Sequence, residues 1–375
     1  MSGKKSPKII VCGYYGFDNS GDEALLTSIV RCLRSQKPDV RITVLSGNPE
    51  KTREIYGVNA INRWSIVQIV RELLSCKLLI SGGGSLIQDI TSVRSPSYYL
   101  GIIRIALFLR RKVMIYCQGV GPLTDKKNRA KTAKLFNRCH AITIRDAGSV
   151  ELLRELGVTR DITLTSDAVM ALDRSDIDRE IKTVGADILC RPHSEPEPRK
   201  PLLLVSMRCW KDNRHIEPVA ELLDAQASKG WDVLLIPAHF PDDMKAMSMI
   251  TEKMTTQPIC VERSLSAREF LSLSAYADRV FSMRLHGLIC AMAMGTPILG
   301  LSYDPKVEAF LEQAGLAKYC LQFDSFDLGD ANRLMDELDN LPSETLATLE
   351  IRRAEMQKAA RETAAVAISL LNADS

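Results

Sequence analysis

No Cys-x-x-Cys pair occurs among the 10 cysteines of this 375-residue chain, which argues against a zinc ribbon or a dithiol redox motif. Met1-Ser-Gly-Lys-Lys-Ser-Pro-Lys8 runs straight into a strand-like stretch and has no apolar signal region. A secreted disulfide framework is therefore not expected. No run of ~18 uncharged apolar residues is present, so no spanning helix is expected. Neither Gly-x-Gly-x-x-Gly nor a Walker A loop appears, which leaves nucleotide binding without a motif. No internal repeat of about 20–50 residues is visible.

What is present is ordinary for a globular protein: 46% hydrophobic and 25% charged residues, which excludes a disordered chain. The length suits two domains of roughly 150–190 residues. The net charge of +3 hides a division. Residues 1–172 carry 26 Lys and Arg against 14 Asp and Glu, whereas residues 173–375 carry 23 against 32. Such asymmetry suggests that the first half meets an anionic partner.

Short β-rich runs alternate with amphipathic stretches. Ile9–Cys12, Arg41–Leu45, Leu78–Ser81, Val113–Cys117 and Ala141–Ile144 read as strands in the first half. A helix opens at Ser20, where Ser20 and Glu23 match a capping box, and Trp64–Leu74 reads as another. Leu202–Ser206, Asp232–Ile236, Arg279–Ser282 and Pro297–Leu301 are the strands of the second half. Strands separated by helices imply parallel sheets. The fold expected is α/β, with two Rossmann-like domains facing a cleft. Residues 1–175 are expected to form a basic first domain and 176–200 a linker centred on the Pro-rich Arg191–Lys200. Residues 201–342 are expected to form the second domain and 343–375 a helical segment. In such sheets ligands sit beyond the carboxyl ends of the strands.

Six strand ends carry chemistry. Gly13–Gly21 joins a strand to a helix start, and its Asp18 and Asn19, with Asp22 and Glu23, offer polarity suited to sugar hydroxyls. Ser81-Gly-Gly-Gly-Ser85 and Gln118-Gly-Val-Gly-Pro122 let a ligand approach the backbone, or are structural bends. Arg145 directly follows a strand and is placed to fork onto a carboxylate or phosphate, or to pair with Asp146. Arg284, His286 and Lys306 converge at two adjacent strand ends, with His286 at a helix start where an acid or base is well placed. No His or Asp/Glu pair near His286 has ligand spacing, so no metal is expected. Cys12, Cys117 and Cys290 lie in apolar contexts and read as core residues.

Two basic stretches remain. Lys126–Arg138 holds six basic residues and no acid, and reads equally as a solvated face or a binding face. Tyr98–Arg111, interrupted by Arg104, Arg110 and Arg111, reads as a packed helix, with an interfacial one as the alternative. Nucleic acid is not expected, because stacking aromatics do not interleave these charges.

Taken in order, Gly13–Ala24, Ser81–Ser85, Gln118–Pro122, Ile144–Asp146, Arg284–Gly287 and Tyr303–Lys306 resemble the polysaccharide pyruvyl transferases, most nearly the CsaB type. The resemblance runs along nearly the whole chain. It implies a GT-B-like fold and phosphoenolpyruvate as donor, with no other cofactor. It implies an N-acetylmannosamine-type sugar on a lipid-diphosphate carrier as acceptor, and a 4,6-linked pyruvate ketal as product. Arg145, His286 and Lys306 match the family's functional arginine, histidine and lysine, and with Arg284 would hold the donor. Asp18, Asn19, Gly83, Gly84 and Gln118 would meet the acceptor. Asp18, Asp89 and Asp167 are the candidate bases. A cytoplasmic protein is expected, associated peripherally with the anionic inner face of the cell membrane through Lys126–Arg138 and the Arg104, Arg110 and Arg111 group. The alternatives are a GT-B nucleotide-sugar glycosyltransferase, with Glu308 as ribose ligand, and a non-catalytic sugar- or lipid-binding module.

Overall fold

A computed structural model describes residues 6–90, 92–177, 183–185, 187–189 and 199–373. Most of the expected linker at Arg191–Lys200 lies outside the described residues. Contacts divide the chain into two units. The first is Met1–Phe17, Asp22–Ala171 and Met356–Ser375, and the second is Asp18–Gly21 and Leu172–Glu355.

In the first unit the order is β1 (Lys8–Tyr15), α1 (Ser20–Gln36), β2 (Arg41–Ser46), α2 (Pro49–Tyr56), β3 (Asn59–Asn62), α3 (Ile66–Ser75) and β4 (Leu78–Gly82). Then come α4 (Ser95–Phe108), β5 (Lys112–Gln118), α5 (Lys126–Phe136), β6 (Ala141–Ile144), α6 (Ala147–Glu155) and β7 (Thr163–Leu164). The sheet runs β3-β2-β1-β4-β5-β6-β7, all parallel. Its central strands are buried on both faces, which is why Ile9-Ile-Val11 and Leu78-Leu-Ile80 are continuous apolar runs. One face is covered by a cluster joining Ile69 and Leu73 of α3, Tyr99 and Ile103 of α4, Leu135 of α5 and Leu153 of α6.

The second unit repeats the plan. It holds β8 (Leu202–Ser206), α7 (Ile216–Ser228), β9 (Asp232–Leu235), α8 (Met244–Lys253), β10 (Ile259–Cys260), α9 (Ala267–Tyr276) and β11 (Arg279–Ser282). These are followed by α10 (Leu285–Met294), β12 (Ile298–Ser302), α11 (Pro305–Gln313), β13 (Cys320–Gln322), α12 (Leu328–Asp339) and α13 (Ser343–Asn372). The sheet runs β10-β9-β8-β11-β12-β13, also parallel. The expected α/β class with two Rossmann-like halves is therefore what forms.

Three local features differ from the sequence reading. The helix expected at Trp64–Leu74 starts at Ile66, leaving Trp64 exposed ahead of it. The Ser20 hydroxyl donates to the carbonyl of Leu265, while the Glu23 carboxylate takes the amide of Gly16 (2.7 Å) and the Tyr56 hydroxyl. Both side chains of the expected capping box are thus engaged beyond the first helical turn. The tail is helical as expected, but α13 is shared. Residues 343–355 belong to the second unit, and from Met356 the helix belongs to the first, where Thr165 donates to Ala359 and Ser166 to Met356. Of Tyr98–Arg111, residues 98–108 fall in the packed α4, whose Tyr99, Ile102, Ile103 and Ala106 are buried, while Arg110 and Arg111 lie past its end.

Candidate active site

Each sheet reverses its winding once, between β1 and β4 and between β8 and β11, and the carboxyl ends at such a point form the natural ligand position. In the first unit these ends carry Gly13–Phe17 with Asp22, and Ser81–Ser85. Gly83 and Gly84 both have left-handed backbone (φ 71° and 67°), which glycine adopts without strain. A Cβ on Gly84 would lie 3.1 Å from Asp22 Oδ1, so that position keeps the carboxyl and the loop in contact.

Arg145 sits two strands further along, at the end of β6. Its Nη1 donates to Asp167 Oδ2 (2.6 Å) and its Nη2 to Ser85 Oγ (3.0 Å), all but excluded from solvent. The neighbouring Asp146 is 3.8 Å from Nε and caps α6 by accepting the Ser149 amide. The principal partner of Arg145 is therefore Asp167, 22 residues on. Gly119 leaves room for it, because a Cβ there would come within 2.9 Å of Arg145 Nε.

The carboxylates of this edge are not equivalent. Burial, reinforced by Glu23 and only partly offset by Arg145, pushes the pKa of Asp22 up to about 8. Asp89 goes the other way. Burial would raise it, but the amides of Thr124 and Asp125, with Asn128, outweigh burial and hold it below the usual carboxylate range. Asp89 thus ties down the loop ahead of α5 and is a poor base. Asp167 is occupied by Arg145 and the Val169 amide. Asp22, noted in the sequence only for its polarity, is the carboxyl whose proton is most easily exchanged near neutrality. No sequence pattern marks this, since the shift comes from burial. Gln118 is fully buried with its amide nitrogen 3.5 Å from Ser81 Oγ, bracing two strand ends.

In the second unit the edge is built from β8, β11 and β12. The residues after β11 are Met283, Arg284 and Leu285, and His286 occupies the first turn of α10. The free amides of that turn favour an anion. Arg284 is held by the fully buried Asp243, to which its Nε donates at 3.0 and 3.1 Å, and Nη2 donates as well. Asp243 also accepts the amides of Ala238 and His239, so the guanidinium is fixed in place with its charge offset. Lys306 lies in the first turn of α11, whose N-cap Asp304 accepts the Lys306 amide (3.0 Å). Glu308 accepts a hydrogen bond from Ser302 at the end of β12 (2.9 Å).

Arg208, and the placing of Asp18–Gly21 at this edge, carry no mark in the sequence. Arg208, just past β8, donates to the Tyr303 hydroxyl (3.1 Å) and lies over the rings of Trp210 and Tyr303. Asp18–Gly21 groups with this unit. Asn19 bridges His239, the Ser20 amide donates to Ala238, and the Phe240 amide donates to Asp18. Asp18 takes a left-handed backbone there (φ 54°). Gly21 meets the ring of His286, since a Cβ at Gly21 would lie 2.4 Å from His286 Cγ and Nδ1.

The structure thus gathers Arg284, His286 and Lys306 with Asp18 and Asn19 in the second unit, and Arg145, Gly83, Gly84 and Gln118 in the first. Among the described residues no group of three His, Cys, Asp or Glu could hold a metal ion, and no helix is long and apolar enough to cross a membrane. Burial pushes the Cys12 and Cys139 thiols up to about 12, as suits core residues.

Residues 19–305 match the family model "Polysaccharide pyruvyl transferase". The chain belongs to the polysaccharide pyruvyl transferase family. The match includes Arg145, Arg284 and His286, and ends one residue before Lys306. "Amylovoran biosynthesis protein AmsJ" of Erwinia amylovora is 19% identical over 92% of this chain and 96% of its own. Among solved structures, the putative UDP-N-acetylglucosamine 2-epimerase of Listeria monocytogenes aligns with a TM-score of 0.66 at 12% identity, covering 99% of this chain and 98% of that one. The UDP-GlcNAc 2-epimerase of Neisseria meningitidis aligns at 0.63 and 11%, covering 98% and 100%. These likenesses show a shared GT-B-like fold. The protein is a transferase of polysaccharide biosynthesis.

Proposed function

We propose that the protein transfers pyruvate from phosphoenolpyruvate to two hydroxyls of an amino sugar carried on a lipid diphosphate, forming a 4,6-ketal of the CsaB type. The family match over residues 19–305 carries this reading, supported by the cations at the strand ends. Phosphoenolpyruvate is small and highly anionic, and it needs fixed donors. Arg284, Lys306 and the amides opening α10 supply them in the second unit, with Arg145 as a further donor. The ion pairs of Arg284 with Asp243 and Arg145 with Asp167 hold each guanidinium in one orientation.

Protonated His286 gives its proton to the methylene carbon, which becomes a methyl group as the neighbouring carbon gains oxocarbenium character. One sugar hydroxyl attacks that carbon and loses its proton. The bond from carbon to the phosphate oxygen breaks, and phosphate leaves. The second hydroxyl closes the ketal, and its proton balances the departing hydrogen phosphate. Asp22 takes the acceptor proton, its pKa of about 8 matching that task. Gly83 and Gly84 let the sugar approach the backbone, with Gln118 bracing that edge and Asp18 and Asn19 offering further hydroxyl contacts.

A panel of lipid-linked and soluble amino sugars, incubated with phosphoenolpyruvate, tests this. Mass spectrometry should find one acceptor heavier by a pyruvate less water, with equimolar phosphate. Phosphoenolpyruvate left intact with every acceptor, alongside tight UDP binding, would favour a nucleotide-sugar glycosyltransferase instead.

A further inference from the structure

Of the 11 exposed large hydrophobic side chains among the described residues, seven fall between Trp64 and Phe108. Five of the seven lie on α3 or α4, or directly ahead of α3. Helices α3 and α4 cover the same face of the first sheet and share one core cluster. At their leading ends the Trp64 ring packs on Tyr98 (5.3 Å), whose hydroxyl donates to the Arg63 carbonyl (2.8 Å). At their trailing ends Arg111 Nη1 reaches the Cys76 carbonyl (3.3 Å). The two helices are therefore tied together at both ends over one core cluster, and their outward-facing stripes lie on the same side of the sheet. On α3 that stripe carries Ile66, Val67 and Leu74, and on α4 it runs Ser97, Gly101, Arg104, Phe108 at helical spacing. Trp64 is 64% exposed, Val67 80% and Phe108 82%. Single exposed hydrophobics need no explanation, but a contiguous group marks an interaction surface.

The charges say what it meets. Between Trp64 and Lys112 the chain has seven basic residues and two acids. Of the acids, Asp89 is buried and Glu72 is ion-paired with Lys8. The exposed charges of the surface, Arg71, Lys77, Arg94, Arg104 and Arg110, are all of one sign. A protein partner of ordinary composition would meet a rim of both signs. An apolar stripe on a segment whose own exposed charges are all basic suits an anionic bilayer, into which the apolar side chains insert while the cations meet lipid phosphates. We propose that the α3–α4 surface docks the protein on an anionic lipid surface by shallow insertion of Trp64, Val67 and Phe108. This deepens the reading of a lipid-linked acceptor and rests on it for the source of the lipid. It keeps Arg104 and Arg110 of the expected basic groups, leaves out Lys126–Arg138, and replaces long-range attraction by insertion.

The test uses the full chain with phosphatidylcholine vesicles made with or without phosphatidylglycerol. Sedimentation should show binding at least tenfold stronger to the anionic vesicles, and a Val67→Ser/Phe108→Ser variant should lose at least tenfold. Brominated lipid should quench tryptophan fluorescence, and Trp64→Phe should remove that quenching. Wild-type binding by the double variant, or quenching that survives Trp64→Phe, overturns the proposal. So does a chain that ignores vesicles but passes from dimer to monomer on Val67→Ser/Phe108→Ser, which would assign the surface to a second copy. Activity on a soluble acceptor separates the two readings. The double variant should keep it, whereas a wild type that docks yet turns over no acceptor would sink the pyruvyl transfer and leave the docking surface standing.

Discussion

The two sheets share one strand order, yet their carboxyl edges have opposite chemical characters. The first edge is dominated by buried carboxyls around one arginine, with Asp22 pushed toward protonation and Asp167 paired with Arg145. The second gathers cations and a histidine at helix starts, with the buried Asp243 fixing Arg284. The shared winding supplies positions, and the side chains placed there decide the chemistry of each edge.

Several substitutions would break or sharpen this contrast. Removing the proposed proton donor should have the largest effect. His286→Ala or His286→Gln is expected to cut turnover by about 10²–10⁴-fold with the fold intact, the ordinary worth of a general acid. Near-normal single-turnover rates in either variant would take His286 out of the mechanism.

Arg145→Met comes next, and its signature is stability as well as rate. It strands Asp167 as a buried charge, so unfolding by urea should show a loss of roughly 3–5 kcal/mol. An unshifted denaturation midpoint would mean that Asp167 does not depend on Arg145.

Gly21→Ala acts on the second edge. The added methyl group must displace the His286 ring, and a misplacement of about 1 Å in a catalytic group costs on the order of 10²-fold. Turnover should fall while the thermal midpoint holds. Wild-type kinetics would show that the ring position does not matter to the rate.

Asp22→Asn should slow turnover as loss of the proposed base does, and its effect on stability is the smaller one, read through pH. The folded-state pKa of Asp22 is raised, so its contribution to stability is complete below its ordinary value of 3.8 and is lost as pH rises through about 8. Asparagine cannot ionise. The variant's thermal midpoint should therefore rise relative to wild type between about pH 5 and pH 8. A constant difference across that window would show that Asp22 titrates as an ordinary carboxylate.

Much of the fold and part of the site are legible in the order of residues along the chain. The apolar runs at Ile9–Cys12 and Leu78–Ser81 announce strands buried on both faces, and the glycines after them announce close backbone approach. Arg145, Arg284, His286 and Lys306 all stand within a few residues of a strand end, so their place at a carboxyl edge follows from that order. The pairing of Arg145 is not legible. Asp146 is its neighbour in sequence, but that side chain is committed to capping α6, and Asp167 takes the guanidinium from 22 residues away. Asp89 reads as a candidate base and is instead the anchor of a loop, because two backbone amides point at it.

By itself the sequence determined the alternation of strand and helix, the two-fold repetition of the winding, the basic bias of the first half and the glycine-lined strand ends. These follow from side-chain periodicity and backbone freedom, which act over a few residues. Only the tertiary structure decided which carboxylate each arginine meets, which carboxyl is buried deeply enough to hold its proton, that α13 is shared between two units, and that Trp64, Val67 and Phe108 stay exposed. Those outcomes rest on burial and on contacts between residues far apart in the chain, and local pattern carries no record of them.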